Sequence, residues 1–317
     1  MLFKRNYKLP HIFVACFPKS GSTFLSKALQ GLTGYPEYHA AEEYVPNEQD
    51  ISRRKLLKAR RLSVIQQHTK GTKTNLNILR EFRMRPIVHV RNLFDVVVSL
   101  RDHFYGHDHH FPTGYVHREF WQLHERDQFD YLIHMHLPWY FNFLVSWHEA
   151  QRHSSLITTS YEELFANPAG TLRRLADFYG LAADDAAIER ALEYAARQPT
   201  GFNKGVSGRG RQLLTTAQCD AIGRMAKLWQ VDRKITRSVG VDVAQLNGDR
   251  TPASWSDLNV GCQPPTTSPS PAVACQVVTA GGQLAGQGEA ARFVRRLANQ
   301  AVGKIGSGTH HFKVSRR

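Results

Sequence analysis

The chain has 317 residues, 42% of them apolar and 10% aromatic, enough to fill the core of one large domain or two small ones. Its 41 Lys+Arg against 27 Asp+Glu leave a formal charge of +14, which favours anionic partners, either nucleic acid or a multiply charged nucleotide. Met1 to Lys8 carries too little apolar length for a signal peptide or a membrane span, and Cys16, Cys219, Cys262 and Cys275 form no Cys-x-x-Cys pair, so the expectation is a reduced, cytoplasmic protein without structural zinc.

In chain order, the first element is the apolar run Ile12-Phe13-Val14-Ala15-Cys16-Phe17, which reads as a strand buried on both faces. Pro18-Lys19-Ser20-Gly21-Ser22-Thr23-Phe24-Leu25 follows it directly, and Phe24, Leu25, Ala28, Leu29 and Leu32 then repeat at helical spacing. A strand, a tight glycine turn and a helix N-terminus together aim free backbone N–H groups and the positive end of a helix dipole at one spot, which makes a phosphate cradle. Its lysine stands two residues before the glycine, whereas a Walker A loop places the lysine after its second glycine. A tight turn alone accounts for Gly21. An anion site accounts also for Lys19, Ser20, Ser22 and Thr23 around it.

Leu62-Ser63-Val64-Ile65 reads as a second strand and Ile87-Val88-His89-Val90 as a third. Arg91 then stands at the C-terminal end of that strand, where parallel sheets place ligands. Leu93 to His103 reads as a helix, and Ser99, about two turns in, returns to the angular position of its start. Two readings fit this segment: a guanidinium and a hydroxyl gripping one phosphate, or an Arg91–Asp95 pair with an exposed serine. Leu156-Ile157-Thr158-Thr159 is a fourth strand. The next helix is bounded by Pro168 and Gly180, and a further one starts at Thr215 with Gln218 completing a capping box. Strands separated by helices predict an α/β fold, a single domain with a central parallel sheet flanked by helices, over residues 1–248. From 249 to 317 the composition shifts to a Pro/Ser/Thr linker around Pro264–Pro271 and a glycine-interrupted basic stretch, expected to be a mostly disordered tail.

The motifs resemble those of sulfotransferases, enzymes that use 3′-phosphoadenosine-5′-phosphosulfate (PAPS). The loop from Pro18 to Leu25 is similar to the family's 5′-phosphosulfate loop, and Arg91, Asp95 and Ser99 match the spacing of its R-N-P-x-D-x-x-x-S segment, with Leu93 in place of the proline. Ser160-Tyr161-Glu162-Glu163-Leu164 with Asn167-Pro168 resembles the Y-E-D-L…D-P stretch, and Asn203-Lys204-Gly205-Val206-Ser207-Gly208 resembles the R-K-G-x-x-G loop, with Asn203 where the family has arginine. Ser63 to His68 resembles the family's I-K-T-H-L stretch, with Gln66 at the lysine position. The matches run in the expected order over roughly His11 to Trp229.

The resemblance implies sulfuryl transfer from PAPS to a hydroxyl or amine, with no metal required. His68 would be the general base, and Lys19 would bind the 5′-phosphate and stabilise the leaving group. Ser20, Gly21, Ser22, Thr23 and Phe24 would form the donor loop. Arg91 and Ser99 would hold the 3′-phosphate, Tyr161 would lie near the adenine, and Asn203, Lys204 and Gly205 would close over the 3′-phosphate with help from Arg209 or Arg211. Two other classes remain to be separated from this one. A nucleotide kinase needs the G-K-[ST] order and a Mg²⁺ carboxylate, and a nucleic-acid-binding protein is suggested by charge alone, without a zinc-finger, homeodomain, RRM or dsRBD signature. His103, His107, His109, His110, His134 and His136 have spacings that could hold a metal, but a solvated loop near the acceptor mouth is the favoured reading, with His103 as a substrate contact. The aromatic stretch Leu137 to Trp147 reads mostly as core.

Overall fold

In the computed structural model the described residues are 10–42, 49–105, 110–199, 207–229 and 233–241. In chain order these form β1 (Ile12–Cys16), α1 (Ser22–Thr33), α2 (Arg53–Lys58), β2 (Val64–Gln67), α3 (Lys73–Glu81), β3 (Pro86–Val90) and α4 (Leu93–Phe104). A short hairpin follows, β4 (His110–Phe111) and β5 (Gly114–Tyr115), then α5 (Glu125–Gln151), β6 (Ile157–Ser160), α6 (Tyr161–Ala166), α7 (Pro168–Tyr179) and α8 (Asp185–Arg197). The last helices are α9 (Arg209–Leu213), α10 (Thr216–Leu228) and α11 (Arg233–Ser238). The tail expected from residue 249 lies outside the described residues.

Four strands pair in the order β2-β1-β3-β6, all parallel, with Ile12 opposite Val64, Phe13 opposite Pro86 and Ile87 opposite Ile157. Alternation along β1 explains why its residues are apolar without a break. Phe13, Ala15 and Phe17 join a core on one face with α4, α5 and α10, while Ile12, Val14 and Cys16 join a second core with α1, α7 and α8. Every residue of β1 and β3 is buried, and each large apolar side chain so buried contributes about 1.5–3 kcal/mol. The second strand begins at Val64, two residues later than the apolar run suggests, because pairing with β1 starts with Val64 opposite Ile12; at its other end Gln67 Nε2 donates to the Asp50 carbonyl at 3.0 Å.

The chain leaves β1 for β2 on one side and reaches β3 on the other. The C-terminal ends of β1 and β3 therefore border the crevice at which the strand order reverses, the usual ligand position in such sheets. The helix N-termini differ in how they are capped. Ser52, Thr72, Asn92, Ser160, Asn167, Asp184 and Thr215 each cap a helix N-terminus with a side-chain acceptor, the last in a full capping box with Gln218. Helix α1 has Gly21 at that position, no side-chain cap and no acidic residue in its first turn. Its positive end faces the crevice uncompensated.

Candidate active site

Residues 17–20 turn four successive carbonyls toward the protein interior, each held by a donor. The Ser20 hydroxyl donates to Phe17 O at 2.7 Å, Tyr140 OH to Pro18 O at 3.2 Å, Arg91 Nη1 to Lys19 O at 3.1 Å and His89 Nε2 to Ser20 O at 3.0 Å. With the carbonyls fixed inward, the amides at the start of α1 face the other way. No acceptor among the described residues takes the N–H of Gly21, Ser22 or Thr23. This is a concave set of donors suited to an anion.

Two residues of the loop adopt left-handed backbone, Gly21 at φ 78° and Lys19 at φ 66°. Glycine does so freely, but for lysine the conformation costs on the order of 1–3 kcal/mol and persists only because its neighbours hold it. The half-buried Lys19 amine is pushed down to about 8 by burial and by the Arg91 charge, with Asp102 opposing. A cation with a weakened hold on its proton is poised to gain from an incoming phosphate.

Arg91 follows β3 as the sequence suggests, nearly buried, with its guanidinium 4.0 Å over the Tyr161 ring. Tyr161 in turn abuts the glycine turn: a Cβ at Gly21 would stand 2.8 Å from Tyr161 Cδ2. Lys19, Gly21, Arg91 and Tyr161 therefore occupy one place. Ser99 is buried on α4 two turns beyond the helix start. Asp95 carries a task that spacing did not suggest. It accepts Gly208 N at 2.8 Å, Gly210 N at 2.7 Å and Ser207 Oγ at 3.2 Å, binding the N-terminus of α9 to α4.

That seating tolerates only glycine at 210, where a Cβ would stand 2.2 Å from the Phe94 carbonyl carbon. Gly210→Ala is expected to lower stability by about 1–3 kcal/mol, the usual cost of overpacking against atoms that cannot yield. A urea midpoint equal to that of the parent chain would contradict this close approach. Asn203, Lys204 and Gly205, just upstream, lie outside the described residues.

His68 stands where β2 ends, beside the end of β1. Its Nδ1 lies 3.1 Å from the Cys16 carbonyl and 3.3 Å from Cys16 Sγ. A carbonyl only accepts, so Nδ1 carries the proton of the neutral ring and the lone pair sits on Nε2. Burial is the main force on this imidazole, and with the Lys19 charge it outweighs the Cys16 hydrogen bond and takes the pKa down to about 4. The ring is therefore neutral at pH 7 and able to accept a proton. Trp147 Nε1 donates to Thr69 O at 2.9 Å and Gly71 N to Ser146 Oγ at 3.0 Å, which fixes the segment behind it. Phe111 stands between His68 and His103, with ring centroids 6.4 Å and 4.9 Å away.

Other expected donor-loop residues contribute differently. The Ser20 hydroxyl shapes the turn, and the Phe24 ring packs in the second core 5.5 Å from Phe165. Ser22 Oγ accepts from Gln66 Nε2 at 2.9 Å, so Gln66 is tied directly to the loop. His89 and Tyr140 were not singled out from the sequence, although a histidine inside the apolar run Ile87–Val90 was a visible signal. Its buried ring, pushed down to about 4 mainly by burial, stays neutral while it holds Ser20 O. Among the described residues no group of three or more His, Cys, Asp or Glu is placed to hold a metal ion, and no helix is long and apolar enough to cross a membrane.

Comparison with known proteins decides the family: the sulfotransferase domain profile matches residues 9–207. The chain belongs to the sulfotransferase domain family. Lys19, His68, Arg91, Ser99 and Tyr161 all fall inside the matched region of this sulfotransferase, and Asn203–Gly205 lie at its last residues. Among solved structures it is similar to mouse sulfotransferase SULT7A1 complexed with PAP, at 17% identity and a TM-score of 0.56, covering 73% of this chain and 87% of that one. Retinol dehydratase in complex with androsterone and inactive cofactor PAP aligns at 18% identity and a TM-score of 0.49, covering 74% of this chain and 84% of that one. No curated protein sequence matches the chain.

Proposed function

We propose that this sulfotransferase takes a sulfuryl group from PAPS and places it on a hydroxyl (or amine) of an acceptor. One observation carries the reading: the uncapped N-terminus of α1, with Lys19 beside it, opens at the strand-order reversal toward which Arg91 also projects. The residues fit a donor with phosphates on both its 5′ and 3′ positions. The amides of Gly21, Ser22 and Thr23 with Lys19 would receive the 5′-phosphosulfate, Arg91 and Ser99 the 3′-phosphate, and Tyr161 the base. PAPS, when bound, supplies an activated sulfuryl group whose leaving group is a phosphate.

His68 Nε2 would take the proton of the acceptor hydroxyl as its oxygen bonds to sulfur. Lys19 would meet the negative charge left on the 5′-phosphate oxygen as the sulfur–oxygen bond to it breaks. We assign catalysis to residues 1–248. We also infer a cytoplasmic setting, from four cysteines widely scattered along the sequence.

Titration with PAP, with ATP in the presence and absence of Mg²⁺, and with duplex DNA tests the proposal. PAP is expected to bind most tightly without any metal. Preference for Mg²⁺–ATP would instead support a kinase, and preference for DNA a nucleic-acid-binding protein.

A further inference from the structure

A second concave site lies at the other end of the sheet, where β3 begins at Pro86. The cleft, about 230 Å³, is ringed by Arg80, Arg83, Arg85, His153, Ser154 and Ser155 over an apolar floor, and no carboxylate lines it. The nearby Glu81 is occupied by Arg53 through a bidentate pair, with Nε–O distances of 3.0 and 2.9 Å. Arg85 is held rigidly, its guanidinium 4.4 Å over the Phe178 ring and bonded to the Phe178 carbonyl. Arg80 donates to Asn77 at 3.0 Å. Arg83 has neither hydrogen bond nor ion pair through its side chain among the described residues.

The backbone at Arg83 adds an independent observation. Helix α3 ends with Arg83 N–H bonded to Arg80 O at 3.1 Å and Met84 N–H to Leu79 O at 2.8 Å, and Arg83 sits between them at φ 55°. Glycine is the residue this helix-ending position favours, because a Cβ there is strained. An arginine kept at a strained position, beside two others and over an apolar floor, is what a ligand clamp requires.

We propose that this cleft binds a tetrahedral oxyanion, sulfate or phosphate, either free or as the ester group of a larger ligand, at a site separate from the donor crevice. Three guanidiniums would supply the charge, with Ser154 and Ser155 hydroxyls as further donors.

The test is a residue-resolved NMR titration of the full chain at constant ionic strength with PAP present, using inorganic sulfate, glucose 6-phosphate and neutral glucose. Saturable shifts confined to residues 79–86 and 153–155 are expected with both anions and not with glucose. Tighter binding of glucose 6-phosphate than of sulfate would assign an esterified ligand, and equal binding a free anion. Arg83→Gly should bind either anion at least roughly tenfold more weakly, the loss of one charge-assisted contact, with a melting temperature no lower than the parent's. Absence of saturable shifts at the cleft, or unchanged anion affinity in Arg83→Gly, would overturn the proposal. Because the shifts are assigned residue by residue, a failure of PAP to bind leaves this result interpretable.

Discussion

Replacing His68 by alanine is expected to cut turnover by about 10²- to 10⁴-fold, the contribution of a positioned general base, while PAP affinity stays nearly unchanged. That range corresponds to roughly 3–5 kcal/mol of barrier at about 1.36 kcal/mol per decade. The imidazole is held at the end of β2 by the Cys16 carbonyl, on the side of the loop bordered by Phe111 and His103, and Arg91 lies beyond β1. Its pH signature is specific. The base must be neutral, and with its pKa pushed down to about 4 the acid limb of kcat/KM should fall near that pH, well below an ordinary histidine. The alkaline limb should come from Lys19, which must be protonated and is pushed down to about 8 in the free protein. Full turnover in a folded His68→Ala variant would retire the base assignment, and His103, across Phe111, is the next candidate.

Lys19→Met is expected to lower turnover by about 10²- to 10³-fold, as removal of one preorganised stabiliser of developing charge does, and to weaken PAP as well. Methionine keeps an unbranched side chain, one heavy atom shorter, and removes the charge with its N–H donors. Lys19→Gly separates chemistry from folding: glycine accepts φ 66° without strain, so this variant should be at least as stable as the parent yet equally inactive. A Lys19→Met protein with parental turnover would remove the lysine from the reaction.

The architecture was legible where one residue pattern served one purpose. Ile12–Phe17 had to be a central strand because every position is apolar, and Pro168, Gly180 and the Thr215–Gln218 pair mark helix ends by chemistry that acts within a few residues. The glycine loop and Arg91 were legible for the same reason: strand ends in a parallel sheet lie beside the crevice whatever the rest does. What could not be read were long-range bonds. Tyr140 reaches Pro18 from 122 positions away and Asp95 holds Gly210 from 115, and no local spacing encodes either. The length of α5 was hidden as well. Pro138 suggests a break, yet the helix runs on because Leu137, Trp139, Tyr140 and Phe141 are buried around it.

The donor-site account rests on Arg91 reading a 3′-phosphate, and calorimetric titration of PAP and of adenosine 5′-monophosphate measures this directly. The two ligands share the 5′-phosphate and differ by the 3′-phosphate, so any damage to the loop cancels in the ratio of their affinities. The parent chain should favour PAP by roughly ten- to a hundredfold, the worth of a charge-assisted contact of about 1.5–3 kcal/mol. Arg91→Ala should bring that ratio close to one. An unchanged ratio in Arg91→Ala would contradict the assignment of the 3′-phosphate to Arg91.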